Sequence, residues 1–288
     1  ALSSSVAGAG SAYTDAYASI GEFVSWITDW DLIVEYALSV ATVAVGWSGY
    51  FVSLARDAGI VIPASLTGPP PDGLFNLPAA AIVFVVAALL VIGIKQSADT
   101  NTLLVAIKSL VLVVFVVAGA SYVNRANLTP FVPPNLGAFG QFGWSGVLRG
   151  AGVMFFAYIG FDAVSTAAQE ARNPARDMPI GILGSLAICT VIYIFVVVVL
   201  LGLVPYQQLN VADPLAVGID ATGIRWLSPV VKLAAVFVLF STVLVQLLGQ
   251  TRIVYSMSRD GLLPGILAGV DPPLRSPAPH TMHTGRER

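Results

Sequence analysis

Apolar residues form six long runs in this chain, and polar positions within the runs are few. A helix needs about 20 mostly apolar residues to cross the hydrocarbon core of a bilayer. The runs cover 32–55, 78–94, 103–123, 147–168, 180–204 and 227–249. They predict six membrane-spanning helices, which we place at about 21–55, 78–96, 101–123, 145–170, 178–204 and 226–258. The first helix extends back towards Gly21 because the preceding residues are amphipathic.

The segments between the runs alternate between long and short. The long ones are rich in turn formers, as in "PASLTGPPPDGLFNLP", whereas "KQSADTN" and "EARNPARDMP" are short and charged. We therefore expect residues 95–101 and 170–179 on the same side of the membrane as the segment before the first helix. Five basic residues flank each side, so charge alone does not decide the orientation. Arginines in the C-terminal tail favour the short-loop side as cytoplasmic.

Composition agrees with an all-α integral membrane protein. The 288 residues are 56% hydrophobic and 10% charged, whereas soluble domains carry roughly 25% charged residues. The net charge of −2 indicates no nucleic-acid partner. Cys189 is the single cysteine, which excludes an internal disulfide, and we interpret it as an inert buried thiol. His280 and His283 lack a third ligand and lie in a polar tail, 278–288, so we expect no metal or cofactor.

Three ionisable residues lie inside the apolar runs, where each costs about 2.5–3.5 kcal/mol at a helix centre. Glu35 shares one helix face with small and polar residues. Such a face indicates either close packing against another helix or the lining of a cavity. Lys108 either extends its ammonium towards the membrane surface or exchanges a proton. Asp162 follows Gly160, which predicts either a helix broken within 157–162 or a continuous helix with a packed glycine.

Several stretches resemble the amino-acid permeases of the amino acid–polyamine–organocation superfamily, in the cationic amino acid transporter-like branch. "FFAYIGFDAVSTAAQEARNPARDMPIGI" resembles the sixth helix of that branch and the loop after it. "WDLIVEYALSVATVAVGWSGYF", "VAIKSLVLVVF" and "RIVYSMSRDGLLP" are similar to its helices 3, 5 and 8. The similarity runs from residue 1 to about Pro277. It implies a permease core over 1–277 that contains helices 3 to 8.

The resemblance implies a partial LeuT-type bundle of five-plus-five inverted repeats with a discontinuous helix 6. Family helices 1, 9 and 10 and most of helix 2 have no counterpart, so we expect a truncated permease. By resemblance, the substrate site includes the helix 6 break and two residues of helix 3. These are Phe156, Ala157, Tyr158, Ile159, Gly160, Asp162, Ser39 and Thr42. The residues expected to take part in proton coupling are Lys108, Glu35, Ser241 and Thr242.

The predicted function is secondary active transport of amino acids, coupled to protons, by a multi-pass protein of the cell membrane. The alternative is a scaffold or regulatory fragment that binds a permease and moves no solute. An intramembrane enzyme is disfavoured because no histidine lies inside the predicted spans. The expected partners are an amino acid, a proton and the lipid bilayer.

Overall fold

The computed structural model describes residues 21–68, 73–92, 98–155, 158, 174–259 and 261–264. This part of the chain is helical, and its one β-bridge joins Thr67 to Asn76. The helices are α1 (Glu22–Asp57), α2 (Leu77–Ile92), α3 (Ala98–Ala120), α4 (Gly143–Phe155), α5 (Pro174–Leu203), α6 (Pro214–Ala221) and α7 (Leu227–Arg259). The predicted all-α class is confirmed.

Local sequence explains where several helices begin and end. Asn76 caps α2, since its Oδ1 accepts a hydrogen bond from the Ala79 backbone N–H at 3.0 Å. Beyond α1, Gly59 adopts a φ of 82°, a backbone conformation that glycine tolerates best. At the end of α5, Pro205 restricts the residue before it and cannot donate a helical hydrogen bond. These signals give the long helices defined ends without charged caps.

The two longest described helices, α1 and α7, pack against each other in antiparallel orientation. Near the start of α1, Leu32 and Tyr36 form a buried cluster with Ile253 and Met257 from the end of α7. Gly249 makes this approach possible, because a Cβ there would lie 2.7 Å from the Tyr36 ring. Helix α2 joins the middle of the pair through a buried cluster of Val40, Ala44, Ala79, Ile82, Val86 and Val243.

A second core holds α3, α5 and α6 on the other part of α7. Its buried residues are Phe115, Val199, Ile219, Leu227 and Val231. Elsewhere large apolar side chains point outward, as Phe84 and Leu183 do. Three helical stretches, Phe23–Asp57, Pro179–Leu203 and Leu227–Tyr255, are long and apolar enough to cross a membrane. Two shorter apolar helices, Leu77–Ile92 and Val105–Ala120, lie beside them.

Candidate functional site

A polar pair lies inside the apolar interface of α1 and α7. The Nε2 atom of Gln246 donates a hydrogen bond to Ser39 Oγ at 2.6 Å, and Ser39 is 2% exposed. Gln246 Oε1 is buried and accepts no hydrogen bond from the described residues. An amide oxygen only accepts, so this atom suits a donor such as a hydroxyl or an ammonium group. The structure thus sets Ser39 beside Gln246, which sequence analysis did not single out.

The predicted polar face of α1 has different surroundings along its length. Glu35, one turn before Ser39, is half-buried. Thr42 is exposed, and its hydroxyl donates to the Leu38 carbonyl oxygen of the same helix at 2.9 Å. Gly49 packs against Ala212 so closely that a Cβ would lie 2.7 Å from the Ala212 Cβ. The face therefore combines helix packing with positions that are open in this structure.

Three of the four residues expected to take part in proton coupling lie on α3 and α7, which contact each other, and the fourth, Glu35, lies on α1. Lys108 is half-buried on α3. The hydroxyls of Ser241 and Thr242 each donate to the Val238 carbonyl oxygen at 2.9 Å. Within the described ranges, no hydrogen bond or ion pair joins Lys108 to either hydroxyl. The partners of Lys108, and its role, stay a prediction.

Most of the predicted helix 6 break lies outside the described residues. This applies to Phe156, Ala157, Ile159, Gly160 and Asp162. Tyr158 is described, and its hydroxyl lies 3.0 Å from Thr190 Oγ1 on α5. Its ring centroid is 5.6 Å from that of Tyr193 on the same helix. Tyr158 itself therefore contacts α5, while the predicted break remains a prediction.

A buried cation that the sequence pattern did not predict lies beside the end of α1. Lys232 on α7 is 1% exposed, and its Nζ lies 2.7 Å from Asp57 Oδ2 and 2.8 Å from Asp220 Oδ2. Ser228 donates to the other carboxylate oxygen of Asp220. This group of Asp57, Asp220, Ser228 and Lys232, which we call the Lys232 cluster, joins α1, α6 and α7. The signal that could have revealed it is a lysine inside the apolar run at 227–249.

Among the described residues, no group of three or more histidine, cysteine, aspartate or glutamate side chains is arranged to hold a metal ion. The chemistry that the described side chains offer is hydrogen bonding and charge pairing at helix interfaces.

Long apolar helices, with polar and charged side chains packed between them, define a multi-pass helical membrane protein. A family model described as amino acid permease matches residues 1–284. The chain therefore belongs to the amino acid permease family, and the resemblance seen in the sequence is confirmed.

Named relatives match nearly the whole chain. The branched-chain amino acid permease BcaP of Bacillus subtilis (strain 168) is 43% identical over 282 residues, which cover 96% of this chain and 59% of that protein. The methylthioribose transporter of the same organism is 40% identical over 287 residues, 99% of this chain and 60% of that protein. Cationic amino acid transporter 3, mitochondrial, of Arabidopsis thaliana is 36% identical over 286 residues, 99% of this chain and 47% of that protein. The chain thus spans about three fifths of the bacterial relatives.

Proposed function

We propose that this chain forms part of a secondary active transporter that moves amino acids across the cell membrane by alternating access, driven by protons. The observation that carries the proposal is the match to the permease family over residues 1–284. The helix interfaces support it, because they hold polar groups such as Ser39 and Gln246 that a solute can contact. The substrate-site and coupling residues named from the sequence belong to this proposal.

An amino acid is the substrate class that the relatives favour. One bacterial relative is named for branched-chain amino acids and the plant relative for cationic ones, while the other bacterial relative is named for methylthioribose. We propose an α-amino acid for this chain because the relative with 43% identity carries that name.

Uptake by a chimaera tests the transport proposal. Residues 1–277 replace the matching segment of the Bacillus subtilis branched-chain permease, and the protein is reconstituted into liposomes. We expect accumulation of radiolabelled leucine, isoleucine or valine when the outside is acidic. This chain alone is reconstituted in parallel. Uptake by the chimaera supports the transport proposal whether or not the chain alone takes up substrate. No uptake by a folded chimaera would contradict the transport proposal and favour the scaffold alternative.

Lys108 is the proposed proton carrier. A charged ammonium costs free energy inside an apolar helix unless it has polar partners, so a change of protonation can alter how α3 packs. A proton that binds two conformations with different affinity couples its movement to the conformational change. In the chimaera, we expect Lys108→Ala to abolish uptake driven by a pH gradient while substrate binding survives.

Lys108→Arg is the sharper variant, because a guanidinium keeps its charge and does not release its proton in the relevant range. We expect it to fail in concentrating substrate, as the alanine variant does. The measurement compares uptake with and without an imposed pH gradient. If the arginine variant concentrates substrate as well as the parent, Lys108 is not the carrier and its ammonium simply reaches towards the membrane surface.

A further inference from the structure

A cavity of about 820 Å³ opens beside the second half of α1. It lies between that helix, residues on either side of the Thr67–Asn76 bridge, and the 211–220 segment that contains α6. Sites for small ligands commonly enclose about 300–1,000 Å³. The cavity is therefore large enough for a small solute, and its lining on α1 runs from Val45 to Arg56, towards the helix end away from Ser39.

Two opposite charges line this cavity without a partner in the described part of the chain. Arg56 comes from the end of α1, and Asp213 immediately precedes α6. Neither side chain makes a hydrogen bond or an ion pair with a described residue, and the two do not pair with each other. The third charged residue in the lining, Asp220, is already bound to Lys232. Among the residues that the structure describes, the cavity thus presents an unpaired cation and an unpaired carboxylate.

The wall that carries Asp213 is fixed to α1 by three contacts. Gly49 allows Ala212 to lie directly on the helix. The Tyr50 hydroxyl oxygen accepts a hydrogen bond from the Leu215 backbone N–H at 3.1 Å. The Lys232 cluster holds the other end of α6. Because the wall is already held in place, little ordering is required when a ligand binds.

The remaining wall includes apolar side chains. Val52 comes from α1, Phe75 from the segment before α2, and Val217 from α6. A guanidinium binds a carboxylate through two parallel hydrogen bonds, and a carboxylate binds an ammonium. A ligand that satisfies all three features carries both charges and an apolar side chain.

We propose that this cavity binds a zwitterionic α-amino acid with an apolar side chain, with Arg56 holding its carboxylate and Asp213 its ammonium. The proposal extends the proposed function, because it adds a binding site for the same substrate class away from the α1–α7 interface. A simple amine leaves Arg56 unsatisfied, and a simple carboxylate leaves Asp213 unsatisfied. Both should bind more weakly than the amino acid.

Protection of a cysteine in the wall tests the site directly. Ser53 lines the cavity, so Ser53→Cys is introduced together with Cys189→Ala into this chain, which is purified in detergent. The rate of modification by a charged methanethiosulfonate is measured with increasing leucine. We expect leucine to slow the reaction. Isoamylamine and 4-methylpentanoate, which lack the carboxylate and the amine of leucine, should protect much less.

Charge-removing variants identify the contacts. Charge-assisted hydrogen bonds are stronger than hydrogen bonds between neutral groups. Arg56→Gln or Asp213→Asn should therefore raise the leucine concentration that halves the modification rate by about tenfold or more. Arg252→Gln removes an exposed cation near the other end of α7 and should leave protection unchanged. Unaltered protection in both cavity variants would overturn the proposal. If a variant does not fold, equal protection of the parent by leucine and isoamylamine would overturn it instead.

The uptake and protection experiments together distinguish failure of the cavity site from failure of the transport proposal. Uptake by the chimaera without leucine protection at residue 53 refutes the cavity site and leaves transport standing. Protection without uptake supports the cavity site and counts against transport.

Discussion

The Lys232 cluster leads to a prediction about which charges cost most to remove. The distances of 2.7 and 2.8 Å from Lys232 Nζ limit the separation of the two carboxylate oxygens to 5.5 Å. At that separation, two negative charges repel by about 3 kcal/mol at an effective dielectric constant of 20. The side chains of Asp57 and Asp220 are 37% and 48% exposed, so water screens much of this repulsion. We therefore expect Lys232→Met to lower the free energy of unfolding by about 1–2 kcal/mol.

Removing both carboxylates should lower the free energy of unfolding more than removing the cation does. Lys232 is 1% exposed, and the double variant Asp57→Asn/Asp220→Asn leaves its ammonium buried without a counter-charge. Stranding a buried charge costs about 3–5 kcal/mol. Either asparagine alone leaves one ion pair and should cost less than half of the double variant. The two single changes should therefore not add.

Unfolding in detergent micelles, followed by tryptophan fluorescence, measures this order of stability. Arg225→Gln is the matched control, because Arg225 is an exposed cation at the same end of the bundle. It should leave the unfolding midpoint within experimental error of the parent. If Lys232→Met destabilises the protein as much as the double asparagine variant, the buried ammonium is not the costly group and the reasoning fails.

Two further predictions concern packing and capping. Gly49→Ala should destabilise the protein by about 1–3 kcal/mol in thermal unfolding, because the added Cβ would clash with the segment packed on the helix. Gly150→Ala is the control: its added Cβ meets open space, so the change should be neutral or slightly stabilising in the same assay. Asn76→Ala should cost about 2 kcal/mol or more, because it removes the cap of α2 and the acceptor of the buried Ser48 hydroxyl. Asn124→Ala removes only a cap at an exposed turn and should cost less in the same assay; equal losses would contradict this account.

Long apolar runs were sufficient to predict the long helices α1 and α7. The segments placed at about 21–55 and 226–258 overlap α1 and α7, which the structure bounds at Glu22–Asp57 and Leu227–Arg259. Such runs predict helices well because a helix satisfies its own backbone hydrogen bonds inside the bilayer, where no water is present to do so. Helix α6 was missed because its eight residues include a proline, a glycine and an aspartate, which read as a turn. Burial of its Ala216 and Ile219 against the neighbouring helices accounts for its formation.

The polar contacts were harder to predict because each joins residues far apart in the sequence. Ser39 could be named from the face it shares with Glu35, but its partner Gln246 lies 207 positions away. Lys232 and Asp57 are 175 positions apart. A single sequence shows that a polar residue lies in an apolar run, but not which helix will face it. The pairing depends on how the helices cross, which the pattern along one helix does not specify.

The length of α1 has a consequence for where water meets the protein. Its 36 residues span about 54 Å, whereas the hydrocarbon core of a bilayer is about 30 Å thick. Accommodating the whole helix by tilt would need an angle above about 50°, beyond the usual range of roughly 0–40°. Part of α1 must therefore project out of the hydrocarbon.

Aromatic side chains indicate where the projection lies. Trp26 and Trp30 are partly exposed in the first third of α1, and tryptophan favours the depth of the lipid headgroups. About 20 residues span the core, so the other boundary falls near Tyr50. Arg56 then lies at the level of the headgroups, where a dissolved amino acid can reach it without entering hydrocarbon. The thickness of the bilayer thus leaves the mouth of the cavity at the membrane surface, where it can be reached from water.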